Sequence, residues 1–548
     1  MRRRIIALSV AAALTSAAFA GCAKSNAQSS ASPLIPTEAV KSAGTGTEEA
    51  FAPVDIMYDT AAAAEAYSDT AMCEPFMPYD NSYFNTEEYS SINENGFRST
   101  LTSPLSTFAA DVDTASYANL RRMITDGYFF EEIPSGAVRA EEMINYFDYD
   151  YNGPEKGEPL GVNFEIASCP WNQDNLLLMV GLQTEAINYA EAPDSNLVFL
   201  IDSSGSMNDY DKLPLLKDAF SILIDELDEN DTVSIVTYAG SDTVVLEGAS
   251  GDEKAKIMRA VDRLEASGST NGGAGITTAY ELAEDYFIKG GNNRVILATD
   301  GDLNVGLTSE SELHDLITEK KDSGVFLSVL GFGTGNYSDT NLETLADDGN
   351  GNYSYIDSEK EAYKVLSREF CSNMVTVAKD VKLQLEFNPA YVSSYRQIGY
   401  ENRAMSDEDF SDDKKDGGEI GAGHSVTVLY EIVPASDKGS ESSLKYQKQT
   451  LTEDAKDSGE WASLSIRYKA PESDSSELLT YAVTKAALSD KPSENLKFAS
   501  AVAEFAMVLT DSEYIGDGSL RHLKKMLDDI DLSDEYREEF ADLVYMIR

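Results

Sequence analysis

The segment Leu197-Val-Phe-Leu-Ile-Asp-Ser-Ser-Gly-Ser206 runs from continuous apolar residues into three oxygen-bearing side chains, Asp202, Ser204 and Ser206. One carboxylate and two hydroxyls on a tight loop make half of a shell for a hard cation, which takes about six oxygens at close range. Two later segments can complete it. Ser-Gly-Ser-Thr-Asn-Gly-Gly places Thr270 on the approach to a helix, and Val295-Ile-Leu-Ala-Thr-Asp-Gly301 ends another apolar run on Asp300. Alone, D-x-S-x-S also suits a helix-capping turn and Thr-Asp-Gly an ordinary β-turn. Together, Asp202, Ser204, Ser206, Thr270 and Asp300 point to one divalent cation. The small hydroxyl-rich shell favours Mg²⁺, with Mn²⁺ or Ca²⁺ as alternatives.

Such a convergence needs strands that end side by side. Leu197–Ile201, Thr232–Tyr238, Val295–Ala298 and Val325–Leu330 read as strands. Helical patterns alternate with them over Lys212–Leu227, Gly275–Phe287, Glu310–Lys321, Asn341–Ala346 and Lys360–Cys371. This rhythm predicts an α/β fold with a doubly wound, mainly parallel sheet covered on both faces. Ligands of open α/β sheets sit at the carboxyl ends of the strands, where Asp202 and Asp300 fall.

The flanks differ. Gly161–Ala167, Leu176–Leu182, Val381–Phe387, Ser425–Ile432 and Leu464–Tyr468 read as strands. Ala115–Ile124, Arg139–Phe147, Leu496–Leu509, Leu520–Ile530 and Asp534–Ile547 read as helices, the first capped by Asp113 and Thr114. Pairing of strands across the central region would make that region an insertion into a β-rich α+β platform.

Residues 195–375 resemble a von Willebrand factor A domain, and the five metal candidates match its metal-ion-dependent adhesion site. Phe108-Ala-Ala-Asp-Val-Asp-Thr-Ala-Ser-Tyr117, Glu141-Glu-Met-Ile-Asn-Tyr-Phe-Asp-Tyr149 and Ala503-Glu-Phe-Ala-Met-Val-Leu509 extend the likeness to bacterial von Willebrand A-domain lipoproteins. The resemblance implies that Ser204, Ser206 and Thr270 touch the metal and that Asp202 and Asp300 act largely through water. It also implies an open coordination position for the carboxylate of a protein partner. Asp302 is a further acid beside the site, read as solvated.

Arg2, Arg3 and Arg4 precede an apolar stretch from Ile5 to Phe19, the pattern of a secretory signal. Phe19-Ala-Gly-Cys22 resembles a lipobox, with Cys22 as the lipidated residue. Beyond the signal no stretch reaches the roughly 18 apolar residues of a membrane span. The expected organisation is signal and lipobox at 1–22, a Ser/Ala/Thr/Pro-rich tether at 23–85, and accessory regions at 90–190 and 376–548 around the A domain. Residues Thr60–Ala66 are a helix candidate within the tether. The expected location is extracytoplasmic, on a bacterial membrane held through Cys22.

The chain has 548 residues, and its 43 Lys and Arg against 95 Asp and Glu give a net charge of -52. That surface repels phosphate backbones, so nucleic acid is not an expected partner. Cys73, Cys169 and Cys371 remain once Cys22 is lipidated; Cys169 and Cys371 either pair or stay free. Asp111-x-Asp113 reads as helix capping rather than a second metal site. Asp348-Gly-Asn-Gly-Asn352 with Glu359 imitates a calcium loop, but Tyr353 stands where the turn needs Gly. Gly331-Phe-Gly-Thr-Gly335 lacks the spacing of a dinucleotide loop. His314, His424 and His522 lie far apart, and no G-x-S-x-G elbow is present. The expectation is a non-enzymatic binding protein, with an envelope scaffold as the alternative.

Overall fold

A computed structural model describes residues 87–547, apart from 111–112, 190–191, 240, 269–272, 302–309, 336, 416, 436–449, 472 and 474. The expected lipobox Cys22, tether and Thr60–Ala66 helix lie outside the described residues.

The central region builds a six-stranded sheet. Its order is Tyr353–Ile356, Phe326–Phe332, Asn292–Thr299, Ser195–Asp202, Thr232–Tyr238, Asp242–Ser250. All neighbours run parallel except the last pair. Ser195–Asp202 is buried along its whole length. The cause is visible in its alternation. Leu197, Phe199 and Ile201 pack with Leu216 and Phe220 of the helix Leu213–Glu226. Val198 and Leu200 pack with Ile276 and Tyr280 of the helix Gly273–Asp285 on the other face. A strand covered on both faces needs no polar alternation, which is why it reads as one apolar run.

The two helices also define where a ligand can sit. The helix Leu213–Glu226 leads to the strand on one side of Ser195–Asp202. The helix Gly273–Asp285 leads to Asn292–Thr299 on the other side. The connections diverge there, opening a crevice at the carboxyl ends of these two strands.

The flanking regions interleave. Leu176–Thr184 pairs antiparallel with Ser425–Pro434, Val180 opposite Val428. Leu105–Ala109 pairs with Thr376–Phe387, Phe108 opposite Leu383. Two antiparallel sheets result, and Phe108, Val180, Leu383, Leu385, Val428 and Leu464 pack in the core they share. The helices Ala115–Thr125, Glu494–Leu509 and Glu535–Met546 form a further layer, with Leu177, Met179 and Leu429 buried among them. The central domain is thus inserted into a platform made by both flanks.

Helix Ala115–Thr125 joins the units. Ala115 and Ala118 belong to the central domain's core, while Tyr117 and Leu120 belong to the helical layer. Its Arg121 reaches Asp357 and Glu361 of the central region and Glu539 near the C-terminus, at 2.5, 2.7 and 2.8 Å. Among the described residues no helix is long and apolar enough to cross a membrane.

Several expectations need correction. Asp113 does not cap that helix; it is buried, accepts from the Tyr353 backbone N–H at 2.9 Å and pairs with Arg403 at 2.8 Å. Thr114 occupies the cap position without a side-chain bond. Lys360–Cys371 is not one helix. It divides into Glu359–Tyr363, a π-turn over Lys364–Arg368, and Phe370–Met374. Of the two readings left open for Cys169 and Cys371, the structure shows free thiols; Cys169 is fully buried, and burial pushes its thiol up to about 12.

Candidate metal site

Asp202 ends the central strand fully buried. Its Oδ1 accepts the backbone N–H of Ser204 at 2.8 Å, which folds the chain back over the strand end. The hydroxyls of Ser204 and Ser206 then lie 2.8 Å apart. Ser204 is buried and Ser206 exposed, so the pair leads from the interior to the surface.

The loop is held from two sides. Ser203 N–H donates to the Tyr238 carbonyl at 2.9 Å on the neighbouring strand. Gly205 N–H donates to the Gly268 carbonyl at 3.2 Å, and Ser267 N–H to the Ser203 carbonyl at 2.8 Å. Gly268 turns with a φ of +96°, open to glycine at little cost. The segment leading to residue 270 is therefore tied to the hydroxyl loop. Thr270 itself lies outside the described residues, as does Asp302.

On the next strand Thr299 Oγ1 stands 3.5 Å from Asp202 Oδ2. Asp300 follows, fully buried. Lys212 Nζ donates to Asp300 Oδ2 at 2.9 Å, and both side chains are almost wholly buried. Asp300 Oδ1 is buried without a hydrogen-bond partner among the described residues. Tyr238 lies beneath; burial first, then the Asp202 carboxylate, keeps its phenol protonated.

Sequence reasoning missed Lys212, which it read only as the first residue of an amphipathic helix. Lys212 lies across Gly333, where an added Cβ would stand 2.3 Å from its Cγ and Cε. Only a residue without a side chain leaves room for that stem.

The donor set suits a hard divalent ion. An unpaired buried carboxylate oxygen is costly, and a cation removes that cost. Hydroxyls and carboxylates without imidazole or thiolate match Mg²⁺ better than zinc. Among the described residues no group of three His, Cys, Asp or Glu side chains could form a softer site. Asp202, Ser204, Ser206 and Asp300 would hold the ion, which supplies an electrophile for an incoming anionic oxygen.

The three histidines do not gather there. His314 contacts Asp348, and His522 lies 2.9 Å from Glu504. His424 sits in a small cavity with Asp113 and Asp148. The loop 348–352 is a turn before the strand Tyr353–Ile356, with Asn350 at a φ of +49°.

Comparison with known proteins assigns the layers. Residues 196–369 match the von Willebrand factor type A domain, and residues 83–179 match a region described as von Willebrand factor. Residues 372–548 match the C-terminal region of the uncharacterized protein YfbK. The chain is 42% identical over 468 residues to the uncharacterized protein YfbK of Escherichia coli, covering 84% of this chain and 80% of that one. It is 29% identical over 226 residues to an uncharacterized protein of Synechocystis, covering 41% and 51%. Among solved structures, a von Willebrand factor type A protein from Catenulispora acidiphila aligns with a TM-score of 0.40 at 17% identity, covering 71% and 90%. Type A domains often bind a divalent metal and mediate protein–protein interactions. The chain belongs to the YfbK-like proteins, in which a von Willebrand factor type A domain is set between two family-specific flanking regions.

Proposed function

We propose that this protein is an extracytoplasmic binding protein, lipid-anchored through Cys22, that captures an acidic residue of a protein partner on a divalent metal. The observation that carries this reading is Asp300 Oδ1, buried without a hydrogen-bond partner among the described residues, on the strand parallel to the one whose carboxyl end leads into the Ser204–Ser206 hydroxyl pair. A divalent ion there is roughly neutralised by Asp202 and Asp300, and the exposed Ser206 leaves an approach from solvent.

The test is selection of displayed peptides on the purified chain with Mg²⁺, with EDTA, and on Asp202→Ala. The expected result is enrichment of Asp- or Glu-bearing peptides with Mg²⁺ alone on the native chain. Equal enrichment under all three conditions would overturn the reading. The anchor has its own test: Cys22→Ala should release the protein from the membrane fraction.

A second reading, an envelope scaffold in which the metal only stabilises the domain, has one observation in its favour. Lys212 already neutralises half of Asp300 without any ion. Metal-dependent stability with no metal-dependent peptide capture would select it.

A further inference from the structure

The geometry points to a second site, at the opposite end of the central sheet, that binds a multiply charged phosphate ligand. A cleft of about 750 Å³ opens between the amino-end loops of the sheet and the platform. A volume of this order accommodates a small organic ligand rather than a single ion.

The chain as a whole carries more than twice as many acids as bases, 95 against 43. The cleft reverses that balance. Lys289, Lys321, Lys379, Lys414, Lys415 and Lys469 line it. Its acids are largely engaged. Asp380 pairs with Lys469 at 2.9 Å and Lys382 at 3.2 Å, and Asp413 pairs with Arg467 at 2.8 Å. Glu419 accepts from Asn350 Nδ2 at 2.9 Å, which leaves Asp322 as the remaining acid of the lining. Lysines from five separate parts of the chain do not gather by i,i+4 helix spacing. They are brought together only by the docking of the domain on its platform.

An independent observation lies in the wall. Arg294 is 2% exposed, next to the cleft residues Asn292 and Asn293 and stacked over the Phe326 ring at 5.6 Å. It donates to neutral oxygens, Ser328 Oγ at 2.6 Å and Asn292 Oδ1 at 3.5 Å, and has no ion pair among the described residues. Burial pushes this guanidinium down to about 10. Its hydrogen bonds go to neutral oxygens, and the cleft residue Glu419 offsets its charge only in part, so burial still lowers it; a further anion in the adjoining cleft adds to that compensation. Several converging cations favour a phosphoryl group with two or more negative charges over a single carboxylate.

The phosphate could be carried by a soluble molecule or by a lipid headgroup. Isothermal titration of the EDTA-treated full chain with pyrophosphate tests the first source. Sedimentation with vesicles containing phosphatidic acid, whose phosphomonoester can carry two charges, against phosphatidylcholine vesicles, tests the second. EDTA keeps the metal site out of the readout, so this result stands apart from the metal reading. Lys321→Ala/Lys379→Ala should weaken binding at least about tenfold, whereas Lys256→Ala on the exposed helix Lys254–Asp262 should leave it unchanged. Arg294→Met should weaken binding too, and the lysine variants keep the test valid if that variant does not fold. Binding in either assay that depends on the cleft lysines supports the site. Failure of both probes, or binding indifferent to the lysine substitutions, overturns it.

Discussion

Lys212 donates to one oxygen of Asp300 at 2.9 Å while the other oxygen of the same carboxylate has no hydrogen-bond partner among the described residues. The side chain thus faces a fixed protein cation on one side and an unfilled electrostatic demand on the other. Any ion bound there shares Asp300 with Lys212.

That sharing sets the metal affinity. Removing the ammonium removes a repulsion between like charges a few ångströms apart, an effect on the order of tenfold in a partly screened site. Lys212→Met should tighten Mg²⁺ binding by about that factor in isothermal titration. Unchanged or weaker binding would show that the ion does not use Asp300.

Asp300→Asn keeps the shape and removes the charge. In the native chain, Mg²⁺ at about 100 times its Kd should add about 2.7 kcal/mol of stability. In Asp300→Asn the melting temperature should no longer respond to Mg²⁺. The substitution also leaves Lys212 without its carboxylate, so the metal-free baseline falls, and the comparison rests on the difference with and without metal.

Arg139 ties the N-terminal region to the central domain. It is buried and meets Glu142 at 3.0 Å, Asp339 at 2.5 Å and Glu343 at 2.9 Å. Arg139→Met would take the cation from buried Glu142 and Asp339, while Glu343 keeps Arg403 at 3.2 Å, a cost of about 3–5 kcal/mol. Urea unfolding followed by circular dichroism should show that loss. A change under about 0.5 kcal/mol would mean the cluster is compensated elsewhere.

His424 makes stability depend on pH. Burial first, and Lys364 next, lower its imidazole to about 4. The unfolded chain takes up the proton near its ordinary 6.5 while the native protein stays neutral. The native state is therefore penalised as pH falls from about 6.5 towards 4, and the contribution is fully present above 6.5. His424 is half-buried, so the expected loss is about 1–2 kcal/mol. His424→Gln should flatten the slope of unfolding free energy in that window.

The parts of the fold that were legible are those with both faces covered. Ser195–Asp202 and Asn292–Thr299 are buried throughout and show as apolar runs ending on Asp202 and Asp300. The edge strand Asp242–Ser250 escaped notice because only Leu246 and Ala249 are buried in it, and Gly248 breaks its pattern at a φ of +50°. Val392–Ile398 carries Arg396 and Gln397 inward, which sequence alone codes as surface. Arg396 is buried because Glu431 and Glu94 meet it at 3.2 and 2.9 Å. Lys212 failed to register for the same reason: its role depends on a carboxylate 88 residues away. Asp113 was misread because a capping residue and a buried ion-pair partner have the same local sequence; only Arg403 distinguishes them.

The platform also carries a schedule. Thr184 Oγ1 donates to the Gly421 carbonyl 237 residues later, and the strand Leu176–Thr184 pairs with Ser425–Pro434 just beyond it. A chain emerging from its N-terminus has half of that sandwich with exposed strand edges until the other half arrives. The intervening domain has its own sheet and two-faced core and can settle first, as a self-contained lobe between unfinished halves. Until then the early strands present unpaired edges, which are ready templates for wrong pairing.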